Sequence, residues 1–131
     1  MIPLLSADLR DTTTTLLSAG VVYMDGGHTS RAHLHAETDV VVLLWESGER
    51  GALTVYGEHL EHEIWQLPQQ ALWIPRGVPH AAINPSRTER IVAFEFRSNP
   101  VLGNDNLLLP ELDHVVSQYA TRCHDLPTAI K

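Results

Sequence analysis

Short stretches of strand length, each closed by turn residues, run through most of this sequence. Leu16–Met24, Ala32–Trp45, Gly51–Tyr56, Leu60–Leu67, Leu72–Pro75 and Arg90–Arg97 are apolar or alternate apolar with polar residues. Asp25-Gly26-Gly27, the run from Glu46 to Gly51, Gly57-Glu58, Pro68-Gln69-Gln70, Pro75-Arg76-Gly77 and Asn84-Pro85-Ser86 stand between them. Gly, Pro, Asn and Ser at those points reverse the chain, so the spacing predicts an all-β sandwich or barrel. The texture changes near Leu107. Pro110 can open a helix, and Leu112, Val115, Val116 and Tyr119 recur at helical spacing, which predicts one helix over Pro110–Arg122. A chain of 131 residues is expected to form a single domain, barrel at 16–97 and helical segment at 107–131. That size buries roughly two thirds of the unfolded surface and needs no structural metal.

Charge and composition remove several function classes. Nine Lys and Arg against sixteen Asp and Glu give a net charge of -7, which repels phosphate backbones and anionic membranes. Direct nucleic-acid binding is not expected. The longest apolar run, Val40 to Trp45, falls far short of the ~20 residues of a membrane span. The opening residues MIPLLSADLR lack a basic start and a long apolar core, so the expected location is cytoplasmic. Cys123 is the single cysteine and cannot form an internal disulfide. Eight His beside one Lys, Lys131, point to metal or acid–base chemistry.

Two stretches concentrate that chemistry. On a strand over Ala32–Val40, alternation puts His33, His35, Glu37 and Asp39 on one side, with Val41, Leu43 and Trp45 continuing that face as packing. Imidazoles and carboxylates on an inner face are costly unless a divalent ion organises them. A His-x-His pair taken alone is equally at home on a solvated strand end. The second stretch runs from Trp73 to Asn84 and holds His80 between Pro79 and Ala81.

Together the two stretches resemble the cupin superfamily, whose motifs read G-x5-H-x-H-x3/4-E-x6-G and G-x5-P-x-G-x2-H-x3-N. Gly27, His33, His35 and Asp39 fall on the first, and Pro75, Gly77, His80 and Asn84 on the second. Asp39 replaces the Glu of the first motif, Gly48 arrives two residues late, and Gln69 stands at the opening Gly of the second, suggesting a different turn geometry there. The resemblance implies a double-stranded β-helix, or jelly-roll barrel, with one C-terminal helix. It also implies one divalent ion held by His33, His35, Asp39 and His80, with Glu37 as the alternative carboxylate. Zn or Fe(II) suits such a mixed nitrogen and oxygen set best, with Mn, Ni or Co compatible.

Small cupins of this kind include isomerases, cyclases, lyases and dioxygenases acting on small organic molecules, with a pocket base such as Glu37 or Glu95 moving a proton. Tyr23, Trp45, Tyr56 and His62 are the candidate pocket walls, although barrel cores and interfaces use the same residue types. The resemblance further implies a homodimer, joined near the N-terminus or the C-terminal helix. The stretch Trp65 to His80 also resembles the ligand-binding cupin of AraC-type transcription regulators, with Trp65, Pro68, Ala71, Trp73 and Pro75 in that pattern. The alternative is therefore a small-molecule sensor, against which stands the lack of a basic helix-turn-helix before Lys131.

Overall fold

A computed structural model describes residues 1–5, 17–99 and 105–125; Leu16 and residues 126–131, assigned above to the barrel and the helical tail, lie outside them. The strands are β1 (Ile2–Leu5), β2 (Ser18–Met24), β3 (His33–His35), β4 (Val40–Glu46), β5 (Ala52–Tyr56), β6 (His62–Gln66), β7 (Ala71–Ile74), β8 (His80–Ile83), β9 (Ile91–Arg97) and β10 (Asn106–Leu108). They form two five-stranded sheets, ordered β1-β2-β9-β4-β7 and β10-β3-β8-β5-β6, with every pairing antiparallel. Crossing between sheets in this order makes a jelly roll. Pro110 opens a 3-10 turn, Pro110–Leu112, which leads into α1 (Asp113–Asp125).

Apolar packing falls into two layers. Between the sheets, Leu44, Ile91 and Ala93 pack with Val22, Met24, Val42 and Ala52. The second layer lies on the outer face of the β3-β8-β5 sheet, where Leu53, Val55, Ala81 and Ile83 meet Val116 and Cys123 of α1. The Tyr119 hydroxyl donates to the Leu60 carbonyl at 2.9 Å, and Arg31 pairs with Asp113 at 2.8 Å, fixing α1 at its middle and at its start. A sheet buried on its outer face can carry polar residues on its inner one.

The strand expected over Ala32–Trp45 is two strands in different sheets. Residues 36–39 carry the chain across, and that crossing resets the alternation. His33 and His35 share one inner face, while Val40 and Leu44 are buried in the other sheet and Val41 and Trp45 are exposed. The expectation that Val41, Leu43 and Trp45 continue the histidine face is therefore corrected.

Two loop positions show how motif residues serve the barrel. Asn84 is fully buried; its Nδ2 donates to the carbonyls of Met24, Asp25 and Glu89, and its Oδ1 accepts the Ser86 amide. Gln69 has φ of 77°, the left-handed conformation that glycine adopts freely. Gln69, at the place of the motif's opening Gly, thus sits in a conformation that costs a residue with a Cβ. Relieving that conformation sets a prediction. Gln69→Gly should stabilise the protein by about 0.5–1 kcal/mol, the left-handed penalty less the entropy of the new glycine. A thermal melt should show the midpoint rising by about 2–4 °C.

Candidate metal centre

β3 and β8 meet with His33 opposite His80, and β8 and β5 with Tyr56 opposite His80. Tyr56 in turn lies opposite His62 of β6. Residues directly opposite share a face, so His33, His80, Tyr56 and His62 form a row across the inner surface of this sheet. His35, two residues along β3 from His33, joins the same face. The ring centroids are 4.3 Å apart for His33 and His80, 5.1 Å for His33 and His35, and 5.2 Å for His35 and His80. One ring nitrogen from each lies within 4.8 Å of the others.

Hydrogen bonds define which nitrogens converge. Nδ1 of His33 lies 2.7 Å from the Arg31 carbonyl, and Nδ1 of His80 lies 2.9 Å from the Val78 carbonyl. A carbonyl only accepts, so both Nδ1 atoms carry the proton and donate. Nδ1 of His35 lies 2.6 Å from Asn106 Oδ1, which also accepts from the Arg97 guanidinium at 3.2 Å. The shared acceptor makes His35 a donor too. In the neutral form of each ring the lone pair is therefore on Nε2. Nε2 of His35 is buried without a hydrogen-bond partner.

Such an orphan is costly in a folded interior, and a metal ion is the partner that three imidazole lone pairs suit. Burial, followed by His33, pushes His80 down to about 3. Burial, then Arg97 and His33, also lowers His35. Both rings are therefore neutral at pH 7, the form that ligates metal.

The turn at residues 75–78 holds this arrangement in place. Gly77 has φ of 77°, and its amide donates to the His35 carbonyl at 2.8 Å, pinning the end of β3. Asp39 lies beside the same turn. Its Oδ1 accepts the Arg76 amide at 2.9 Å and its Oδ2 the Arg76 guanidinium at 3.2 Å, bonds that hold its pKa below the usual carboxylate range. Glu37 is exposed in the bend after β3, and its amide donates to Asp105 Oδ2. The structure thus brings three histidines together and leaves Asp39 and Glu37 outside their cluster.

Glu95 points inward with Ala93, opposite Val42 of β4, and pairs with Arg97 at 2.9 Å. Both side chains are largely buried. Arg97 and Asn106 connect this pair to His35, and the sequence reading overlooked both. The i, i+2 placement of Glu95 and Arg97 on one strand was a usable signal for the first. Asn106 sits on a three-residue strand with no pattern of its own. Tyr56 and His62 do flank the triad, their rings 5.2 Å apart.

Tyr23 and Trp45, expected as pocket walls, do not lie on the histidine face. Both lie on the outer face of the other sheet, Tyr23 with the Arg90 guanidinium 4.7 Å from its ring centroid and Trp45 edge-on to Phe94 at 5.9 Å. Inward positions on β2 and β4 belong to Val22, Met24, Val42 and Leu44, so alternation sends Tyr23 and Trp45 outward.

No protein-family model matches the chain, and no curated protein matches it in sequence. Solved structures match it in fold. The cupin-like protein of Thermotoga maritima is 16% identical, with a TM-score of 0.60 over 82% of this chain and 72% of that one. The DMSP lyase DddQ of Ruegeria pomeroyi is 21% identical, with a TM-score of 0.53 over 70% of this chain and 42% of the lyase, so the match spans less than half of that enzyme. The salicylate 1,2-dioxygenase of Pseudaminobacter salicylatoxidans is 16% identical, with a TM-score of 0.61 over 74% of this chain and 26% of the dioxygenase.

Calorimetric titration with Zn(II) should give one ion per chain. His33→Ala, His35→Ala and His80→Ala should each weaken binding at least 100-fold, whereas Asp39→Asn should change it less than tenfold. Asn106→Leu, which frees the His35 ring to turn, should cost about 10- to 100-fold, as losses of ligand-orienting partners typically do.

Proposed function

We propose that this cupin-fold chain is a metal-dependent enzyme acting on a small organic molecule, of the isomerase, cyclase, lyase or dioxygenase type. The observation that carries the reading is the cluster of three imidazoles, each with a ring nitrogen within 4.8 Å of the others, in which His35 Nε2 is buried and unpartnered. His33, His35 and His80 would hold a divalent ion, Zn or Fe(II) best suiting an all-nitrogen set with open positions. Bound there, the ion would act as a Lewis acid on a substrate oxygen or as a site for dioxygen. Asp39 could join only by giving up both bonds to Arg76, so the ligand set is read as three histidines.

The remaining roles fall to residues on the inner face. Glu95 is the inward carboxylate and is assigned as proton acceptor, with Arg97 keeping it oriented. Glu37, at an exposed bend, is left out of that role. Tyr56 and His62 form the wall beside His80 against which a small substrate would lie. A lyase and a dioxygenase among the structural neighbours are consistent with this chemistry. The cupin resemblance also supports a homodimer.

Turnover should be sought across a panel of small hydroxy, oxo and unsaturated acids with the Zn(II)- and Fe(II)-loaded protein. Activity should vanish with a strong chelator, return on reloading, and be absent in His80→Ala. Glu95→Gln should lower kcat by about 100-fold or more with metal content unchanged. Turnover that survives complete metal removal would overturn the proposal, and so would ligand binding without turnover across the panel.

A further inference from the structure

The sheet that faces the histidines carries a polar row of its own. Ser18 of β2, Arg97 of β9, Val40 of β4 and Ile74 of β7 stand opposite one another across four strands and share its inner face. All four are buried. Val40 and Ile74 form an apolar flank, so polar interactions in this row act at low local dielectric and are strengthened. The Arg97 guanidinium and the His35 ring share Asn106 Oδ1 as acceptor, at 3.2 and 2.6 Å, which sets the row beside the histidine cluster.

Donors in this row outnumber acceptors. A guanidinium has five N–H groups. Nε and Nη2 of Arg97 donate to Glu95 Oε2 at 3.3 and 2.9 Å, and Nη1 donates to Asn106, which leaves one N–H on each Nη without an acceptor among the described residues. The hydroxyl of Ser18, a residue 1% exposed, has no hydrogen-bond partner among them either. Such groups are costly to bury unless a ligand accepts their protons in hydrogen bonds.

We propose that Arg97 and Ser18 form a carboxylate subsite, and that the molecule bound at the histidine cluster is a small organic acid held by its anionic end. The inference rests on the reading of this cluster as a substrate site and narrows that substrate to acids. N–H groups on Nη1 and Nη2, in one plane, match the two oxygens of a carboxylate, and the Ser18 hydroxyl adds a third bond. A phosphate would bring more oxygens and more charge than these three donors satisfy. The charge balance agrees. Glu95 pairs with Arg97, and His35 and His80 are neutral, so a divalent ion held by three imidazoles would keep both its charges for an incoming anion. Room is provided one row away, where Gly20 lies opposite Glu95 and the half-exposed Met1 side chain takes the place a Cβ would fill. Met1 is unbranched, with three rotatable bonds, and gives way to an entering group at little cost.

Calorimetric titration of the full chain, Zn(II)-loaded and metal-free, tests the subsite with acetate, lactate and pyruvate against acetamide, lactamide and pyruvamide. At least one acid should bind the wild type tenfold or more tightly than its amide. Ser18→Ala should weaken that acid about tenfold, with its amide unaffected and the melting midpoint of the ligand-free protein not lowered. A serine kept for the fold alone would instead lower the midpoint and leave the acid unaffected. Glu95→Gln combined with Arg97→Met, which leaves no lone buried charge, should reduce the preference for acid over amide at least tenfold. If that variant fails to fold, Arg97→Lys, which keeps the charge without the planar fork, should weaken the acid at least tenfold. A wild type that prefers no acid over its amide overturns the proposal, and so does inorganic phosphate bound more tightly than every acid. A preference undiminished by Ser18→Ala, or by the Arg97 variants, overturns it as well and leaves the metal centre intact. Failure of Zn(II) to bind, with an Arg97-dependent preference retained in the metal-free protein, would sink the metal reading and sustain the subsite.

Discussion

A β-sheet in water must bury at least one face, and the sheet that carries the histidines meets this requirement on its outside. Leu53, Val55, Ala81 and Ile83 bury against α1, which is held by Arg31–Asp113 at its start and by the Tyr119 hydroxyl on Leu60. The inner face is thereby released from supplying the apolar core. His33, His80, Tyr56 and His62 can line up there because the stabilising burial on these strands occurs on the other side. Without α1 the same strands would present apolar residues to water outside and polar ones to the interior.

The opposite sheet has the reverse distribution. Its inner positions contribute Leu44, Ile91 and Ala93 to the core, giving way to Glu95 and Arg97 only at the end nearest the histidines. That buried ion pair is costly to desolvate on its own, and it persists because each partner satisfies the other and Asn106 Oδ1 accepts a further guanidinium N–H hydrogen bond. Two of the three acids that sequence alone nominates as metal ligand or base, Asp39 and Glu95, thus have separate fates. Asp39 is spent on Arg76 at the rim, and Glu95 is held inside by Arg97.

The barrel and the three histidines were legible in the sequence, and the reason is local. Turn residues at Pro75-Arg76-Gly77 and the spacing of His33, His35 and His80 are short-range patterns that the fold uses directly. Gly77 in its left-handed conformation, donating to the His35 carbonyl, is one such case. The fate of Asp39 was not legible because alternation was carried through residues 36–39, where the chain in fact leaves one sheet for the other. A four-residue crossing carries no hydrophobic period, so nothing in the pattern announces the reset. Tyr23 and Trp45 were misplaced because a stretch of alternating or continuous apolar residues does not reveal which side faces the core. Gln69 shows the converse, a left-handed turn position that no glycine marks in the sequence.

The same distinction between short- and long-range contacts runs through the triad itself. His33 and His80 each donate from Nδ1 to the carbonyl two residues earlier, so the backbone just ahead of each strand, at Arg31 and Val78, sets their tautomers. His35, the most buried of the three, depends instead on Asn106, far along the chain on β10. β10 is only three residues long and, among the described residues, pairs with β3 alone. It is held by Asp105, whose Oδ2 accepts from the Thr38 hydroxyl at 2.5 Å and the Glu37 amide at 2.9 Å, and by the Leu109 amide on the Ala32 carbonyl. The crossing at residues 36–39 therefore does more than change sheets. By receiving Asp105 it docks the strand that orients the deepest imidazole, so the segment whose side chains looked like ligands acts on the site through its backbone and Thr38.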